Sequence, residues 1–268
     1  MKKWLYILLA CLPVLSCVGQ KDDPVDPDNP DDQSGPVVGP ADEGKDFFRR
    51  SLVLDFTGTW CVNCPKMEAA IADAMERRPG RFVPVSVHCM MIDPMYAKPL
   101  SDDLVKRFGV SAYPSVVVDL DPESLISASS AELILAHADR LLETRGKSSG
   151  IRVESASADG KLSVKMEAKA VREGEFTLSI LLLEDGIVAS QTGAEDGNAH
   201  VHDNVLREWT DGAPVSLKEG ETGVLEMSAA VSGDCRIVAL LCRNGLVDNV
   251  MTCAAGATAE YEYEETNE

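Results

Sequence analysis

Residues 51–75 constrain this chain more than any other segment. Ser51 to Phe56 is a compact, mostly apolar strand broken by Gly58-Thr59. Trp60-Cys61-Val62-Asn63-Cys64-Pro65 follows, and then Met67, Ala70, Ile71, Ala74 and Met75 recur at helical spacing. Two cysteines separated by two residues therefore stand at a strand-to-helix junction. The unpaired N–H groups and the dipole of a helix start favour a thiolate at Cys61. Cys64, one turn further, can attack a mixed disulfide made by Cys61. Pro65 suits a first helical turn, where its missing N–H costs least.

The pattern continues through the front half. Arg81 to Met90 reads as a strand, and Ser101 or Asp102 can cap a short helix running to Phe108. Val110 to Leu120 is a third strand region interrupted by Pro114. Ser130 caps a last helix whose apolar face uses Leu133, Ile134, Leu141 and Leu142. Alternating strands and helices imply an α/β domain with a mostly parallel sheet. Near residue 147 the pattern changes, at the polar, glycine-bearing link 145–150. Beyond it, 151–154, 161–169, 175–183, 223–230, 236–241 and 246–251 read as strands, with Asp159-Gly160, Asp185-Gly186 and Asn244-Gly245 as hairpin turns. That is the pattern of an all-β sandwich. The loop 191–202 reads as polar, although His200 and His202 alternate around Val201 as a ligand pair would.

With these motifs in hand, two resemblances are specific. Leu52-Val53-Leu54-Asp55-Phe56 followed by Trp60-Cys61-Val62-Asn63-Cys64 resembles the thioredoxin active-site pattern in order and spacing, and 109–115 resembles the segment holding that family's cis-proline. The resemblance implies Cys61 as nucleophile and Cys64 as resolving thiol. It implies Asp55 as the buried carboxylate that moves a proton for Cys64, Pro114 as the cis residue facing the disulfide, and Trp60 packed beside the motif. Val62-Asn63 replaces the family's Gly-Pro, and Pro65 replaces a basic residue, which leaves potential and direction open. The whole mature chain resembles a family of Bacteroidetes outer-membrane lipoproteins that join a thioredoxin-like front half to a β-sandwich. The local marks are Gln191-Thr192-Gly193 and 202–207, where Asn204 and Arg207 read as loop-fixing residues.

The amino terminus adds location. Lys2-Lys3 precedes the apolar run 4–14, too short for the span of about 20 residues that a bilayer needs, so it reads as a signal peptide. Val14-Leu15-Ser16-Cys17 resembles a bacterial lipobox, which implies fatty acylation of Cys17; Leu8-Leu9-Ala10-Cys11 is a rival with a shorter apolar core, and simple secretion a third reading. Residues 18–46 carry nine acidic residues and five prolines with almost nothing bulky to bury, so they read as an extended tether. Gln20-Lys21-Asp22-Asp23 resembles the export tag of Bacteroidetes surface lipoproteins. The expected organisation is signal peptide 1–16, lipidated tether 17–46, thioredoxin-like domain 47–146, β-sandwich domain 147–264 and acidic tail 265–268. Net charge is −19 with no basic stripe, which argues against nucleic acid as partner.

The expected function is an envelope thiol-disulfide oxidoreductase that uses Cys61/Cys64 on protein disulfides. A redox-inert surface lipoprotein with an unidentified ligand is the alternative, and a metal carrier a minor one. The reading implies no cofactor. For a metal site, His88 and Cys89 would join the pair, but neighbours on a strand point to opposite faces. An exported compartment permits persistent disulfides. Cys235 and Cys242 lie about 23 Å apart along one strand, so they cannot pair. Folding at Asn244-Gly245 sets Cys235 near Cys253 and Cys242 near Leu246. Any rear disulfide is thus expected between Cys235 and Cys253, with Cys242 a buried thiol, set against three free core thiols.

Overall fold

β1 (Ser51–Thr57) organises the front half. All of its residues are buried, which accounts for its near-continuous apolar sequence. In this computed structural model residues 45–230 and 235–265 are described; the leader, Cys17, the tether through residue 44 and residues 266–268 lie outside them. β2 (Phe82–His88) runs parallel to β1, and β3 (Ser115–Val118) antiparallel on its other side. The expected mostly parallel sheet is therefore corrected to a mixed one. Apolar alternation reads the same in either chain direction, so the pattern carried no information about how β3 enters.

Side-chain alternation sends Val53 under α1 (Cys64–Arg77) and α3 (Ala131–Arg145), where it packs with Met67, Ile71, Ala74, Ile134 and Leu141. Leu52, Leu54 and Phe56 face the other way, toward Leu104 and Phe108 of α2 (Leu100–Phe108). Ser130 caps α3 as expected, its Oγ accepting from Leu133 N at 3.4 Å. Leu133 and Leu142 are exposed, however, and Leu135 and Ala138 complete the buried face. α2 departs from expectation as well. Pro99 stands at its N-cap without a side-chain bond, and Ser101 is buried inside the helix.

The rear half adds β4 (Gly150–Ala158), β5 (Lys161–Lys169), β6 (Gly174–Glu184), β7 (Ile187–Ala189), β8 (His200–His202), β9 (Val205–Asp211), β10 (Val215–Leu217), β11 (Thr222–Ala230), β12 (Cys235–Arg243), β13 (Leu246–Ala254) and β14 (Thr258–Ala259). A small sheet has the order β11-β5-β4-β14, and β7 pairs with β8 in a separate ribbon. The large sheet runs β13-β12-β6-β9-β2-β1-β3, with β10 added on β6. Strands from both sides of residue 147 thus share one sheet. β9 is the joint, antiparallel to β6 and meeting β2 at Ser86 and Val205. Strand outweighs helix, 44% to 20%, so the described chain taken as a whole is β-rich.

Alternation again divides the core. Ile180, Leu182, Ile237 and Ala239 face the small sheet, while Leu181, Leu183, Val238 and Leu240 join Leu52 and Leu54 on the opposite side. The large sheet curls until its ends are tied, Val247 N donating to Asp119 O at 3.1 Å. Asp119 is fully buried there and accepts from Arg49 (2.9 Å), Ser51 Oγ (3.2 Å) and Leu52 N (2.8 Å).

The rear cysteines correct another expectation. Cys235, Cys242 and Cys253 are free thiols. The Asn244-Gly245 hairpin itself sets Cys242 opposite Val247; a bulge between Leu241 and Cys242 then shifts the β12–β13 register, so Cys253 lies opposite Ile237. The extra residue, Asp248, is held by Ser149 N at 2.8 Å, a partner far away in sequence. Cys242 is the buried thiol expected.

Candidate functional site

The alternation that buries Val53 beneath α1 also carries Asp55 to that face. β2 lies in register, with Ser86 opposite Asp55 and His88 opposite Thr57. α1 roofs them, and residues 64, 68, 71, 72 and 75 follow at helical spacing. Asp55, Ser86, His88, Cys64 and Glu68 consequently line one cavity of about 200 Å³. Its remaining wall comes from the rear half, from Gln191 and His202 to Asn204.

Cys61 and Cys64 form a disulfide at the head of α1, with Cα atoms 5.4 Å apart. Both are buried, at 4% and 3% exposure. Trp60 precedes them in the chain; its Nε1 donates to Cys89 O at 3.0 Å and its ring meets Tyr113 edge-on at 5.3 Å. Gly58 permits this placement, because a Cβ there would fall 2.5 Å from Trp60 Nε1. The Tyr113–Pro114 peptide is cis. Of the residues proposed from the sequence for the front-half site, Cys61 and Cys64 form the disulfide, Asp55 lines the same cavity as Cys64, and Pro114 is cis.

Asp55 has no ion-pair partner among the described residues. Burial, and then the nearby Glu68 carboxylate, push its pKa up to about 8. Its Oδ1 finds no hydrogen-bond partner among the described residues. His88 Nδ1 meets Asp93 Oδ2 at 3.0 Å, and the same carboxylate accepts from Thr59 N (2.7 Å) and Met95 N (2.9 Å). Burial alone would raise Asp93, but its bond to His88, the His88 charge and those backbone bonds hold it below the usual carboxylate range.

The rear half closes over the motif. Gln191 Nε2 donates to Cys61 O at 3.1 Å and Gly58 O at 3.3 Å, and Thr192 N donates to Thr59 O at 2.8 Å. His202 lies near His88 and His200, with ring centroids at 5.3 and 4.7 Å. His200 in turn bridges Glu68 (3.2 Å) and Asp196 (2.9 Å). Asn204 and Arg207 fix the loop, as the resemblance implies. Asn204 takes the left-handed region at φ 61, bonds Asp185 through its N, and receives Arg236, while Arg207 binds Glu184 at 2.8 Å.

Gln191, Glu68, Asp93 and His202 were not legible as site residues. Gln191 belonged to a noted motif and His202 to a noted pair, but no spacing signal connects either with a cysteine over a hundred residues away. His88 and Cys89 point to opposite faces, His88 to the cavity and Cys89 to the core. Among the described residues, no group of three or more His, Cys, Asp or Glu is arranged to hold a metal ion.

No helix among the described residues is long and apolar enough to cross a membrane. No protein-family model matches the chain, and none of the curated proteins matches it. Among solved structures it is similar to HBP35 of Porphyromonas gingivalis, a Bacteroidetes protein, with TM-score 0.66 and 16% identity, covering 83% of this chain and 80% of that chain. It is also similar to a protein from Agrobacterium tumefaciens, with TM-score 0.55 and 14% identity, covering 80% of this chain and 97% of that chain. Identities this low speak for shared fold alone, and the coverage takes that fold through both halves of the chain.

Proposed function

We propose that the chain is an envelope thiol-disulfide oxidoreductase acting on protein disulfides through Cys61 and Cys64, with a thioredoxin-like front half. The observation that carries the reading is Asp55. A buried carboxylate with an unpartnered oxygen is costly to the fold, and its position in the cavity beneath Cys64 gives that cost a use. A substrate thiolate would attack Cys61 Sγ and displace Cys64 as a thiolate, which takes the Asp55 proton. In reverse, Cys64 attacks the mixed disulfide, Asp55 receives its proton, and the substrate leaves as a thiolate. β1 between a parallel and an antiparallel neighbour, and a cis-proline following Tyr113, whose ring meets Trp60, also support the reading. Exposed Val62, and Met90, Met91 and Ile92 just after Cys89, offer an apolar rim suited to a protein substrate. On the same reading, lipidation of Cys17 holds the protein at the envelope membrane.

Burial of both sulfurs favours a second reading, a redox-inert binding module. Disulfide exchange with insulin separates the two. Activity that is lost in Cys61→Ala, with mixed disulfides trapped in Cys64→Ala, supports the first. A wild-type disulfide that resists exchange supports the second. Cys17→Ser tests the anchor, with release from membranes as the expected outcome.

A further inference from the structure

Two residues that line the cavity, one from each half of the chain, each carry a buried polar atom with no hydrogen-bond partner among the described residues: Asp55 Oδ1 from β1 and His202 Nε2 from β8. Both residues are only 6% exposed. Leaving such an atom unsatisfied costs about 1–3 kcal/mol. The cavity that Asp55 and His202 line, of about 200 Å³, has room for several waters at about 30 Å³ each, and its polar walls provide partners. Glu68 is half exposed and lines it too, its carboxylate 3.2 Å from His200 Nε2, whose ring packs on His202.

We propose that this cavity holds a short water chain that carries a proton between Asp55 and solvent past His202, so that a rear-half histidine serves the front-half disulfide. The inference rests on the redox reading above. When Cys64 leaves as a thiolate, Asp55 protonates it and is left ionised; the chain then returns one proton from solvent to Asp55. In reverse, the proton taken from Cys64 leaves by the same path. The two electrons pass only between the substrate thiols and the Cys61–Cys64 disulfide.

The surroundings suit the task. Asp55 faces Cys64 and Glu68 from α1, His88 from β2, and His202 and Asp203 from the rear half, with Asp93, Asp196 and His200 one residue further out. Burial first, then the charges of His88 and His200, lower His202 to about 4, so its ring is neutral at pH 7. A neutral imidazole has one donor and one acceptor nitrogen and can take a proton on one while releasing it from the other. His202 acts through Asp55 and is therefore a positioning and relay residue.

The test uses the full chain, recycled by excess dithiol, with insulin as substrate across pH 5–9. His202→Ala is expected to slow turnover about tenfold at pH 7, a modest share of what acid–base groups contribute. Added imidazole is expected to restore the rate in proportion to its concentration. His202→Gln, which keeps a polar side chain for folding, is expected to be slow with a changed pH profile. A slow His202→Ala that imidazole leaves slow assigns His202 a structural role and overturns the relay. So do His202 variants with the wild-type rate and profile while Asp55→Asn is impaired, and that result leaves the redox reading standing. A wild-type chain without exchange overturns both.

Discussion

Gly193 lies against the backbone of Val62 so closely that a Cβ on it would stand 2.3 Å from the Val62 carbonyl oxygen. Gly193 also has φ +85, where side chains are strained. A loop of the rear half is thereby laid directly on the first of the two residues between the cysteines. Gly193→Ala should force the loop away, because the obstacle is backbone. We expect a loss of about 2 kcal/mol. The Cys61–Cys64 disulfide should also be reduced faster by dithiothreitol. Urea unfolding and reduction kinetics check the pair of outcomes, and an unchanged reduction rate would show that the loop does not shield the disulfide.

Asp55 makes stability depend on pH. Its folded pKa of about 8 lies above the ordinary 3.8, so the folded state holds this proton more tightly. Its contribution is fully present below pH 3.8 and is lost as pH rises through about 8. Asp55→Asn removes the ionising group and should gain stability over the wild type by about 1.4 kcal/mol for each pH unit between 3.8 and about 8. Denaturant melts at pH 5 and 8 should show the difference growing with pH. A difference that is flat across this range would mean that Asp55 titrates normally.

Arg49 and Asp119 form a buried pair at the seam where the large sheet meets itself. Removing one partner leaves an uncompensated buried charge. Arg49→Met should therefore cost about 3–5 kcal/mol. Chemical denaturation measures it, and a loss within about 0.5 kcal/mol, typical of surface changes, would show that the pair does not hold the seam.

The β12–β13 bulge has a chemical consequence. Peptide mapping of the non-reduced chain should find Cys61 joined to Cys64, with Cys235 and Cys253 unlinked. Cys242, whose thiol burial pushes up to about 12, should react with iodoacetamide only after denaturant is added. A Cys235–Cys253 linked peptide would show that the bulge is not the solution register.

What was legible in the sequence was local. The strand, the Cys-x-x-Cys turn and the helix after it could be read because alternation and helical spacing are imposed by backbone geometry within a few residues. So could the Ser130 cap and six of the rear strands, with the Asp159-Gly160 and Asn244-Gly245 hairpins; Asp185-Gly186 closes no hairpin, because β7 pairs with the distant β8 instead of β6. Asp55 could be singled out by its apolar neighbours, before its burial was known. The direction of β3, the bulge at Asp248 and the role of β9 were decided by tertiary structure alone, since each depends on partners remote in sequence. The same holds for the site. Cys61, Cys64 and Asp55 lie within ten residues of one another, whereas Gln191 and His202 reach them only because the large sheet joins both halves and turns the β7–β8 ribbon onto the motif. A polar loop and a cavity wall have the same composition, and only packing distinguishes them.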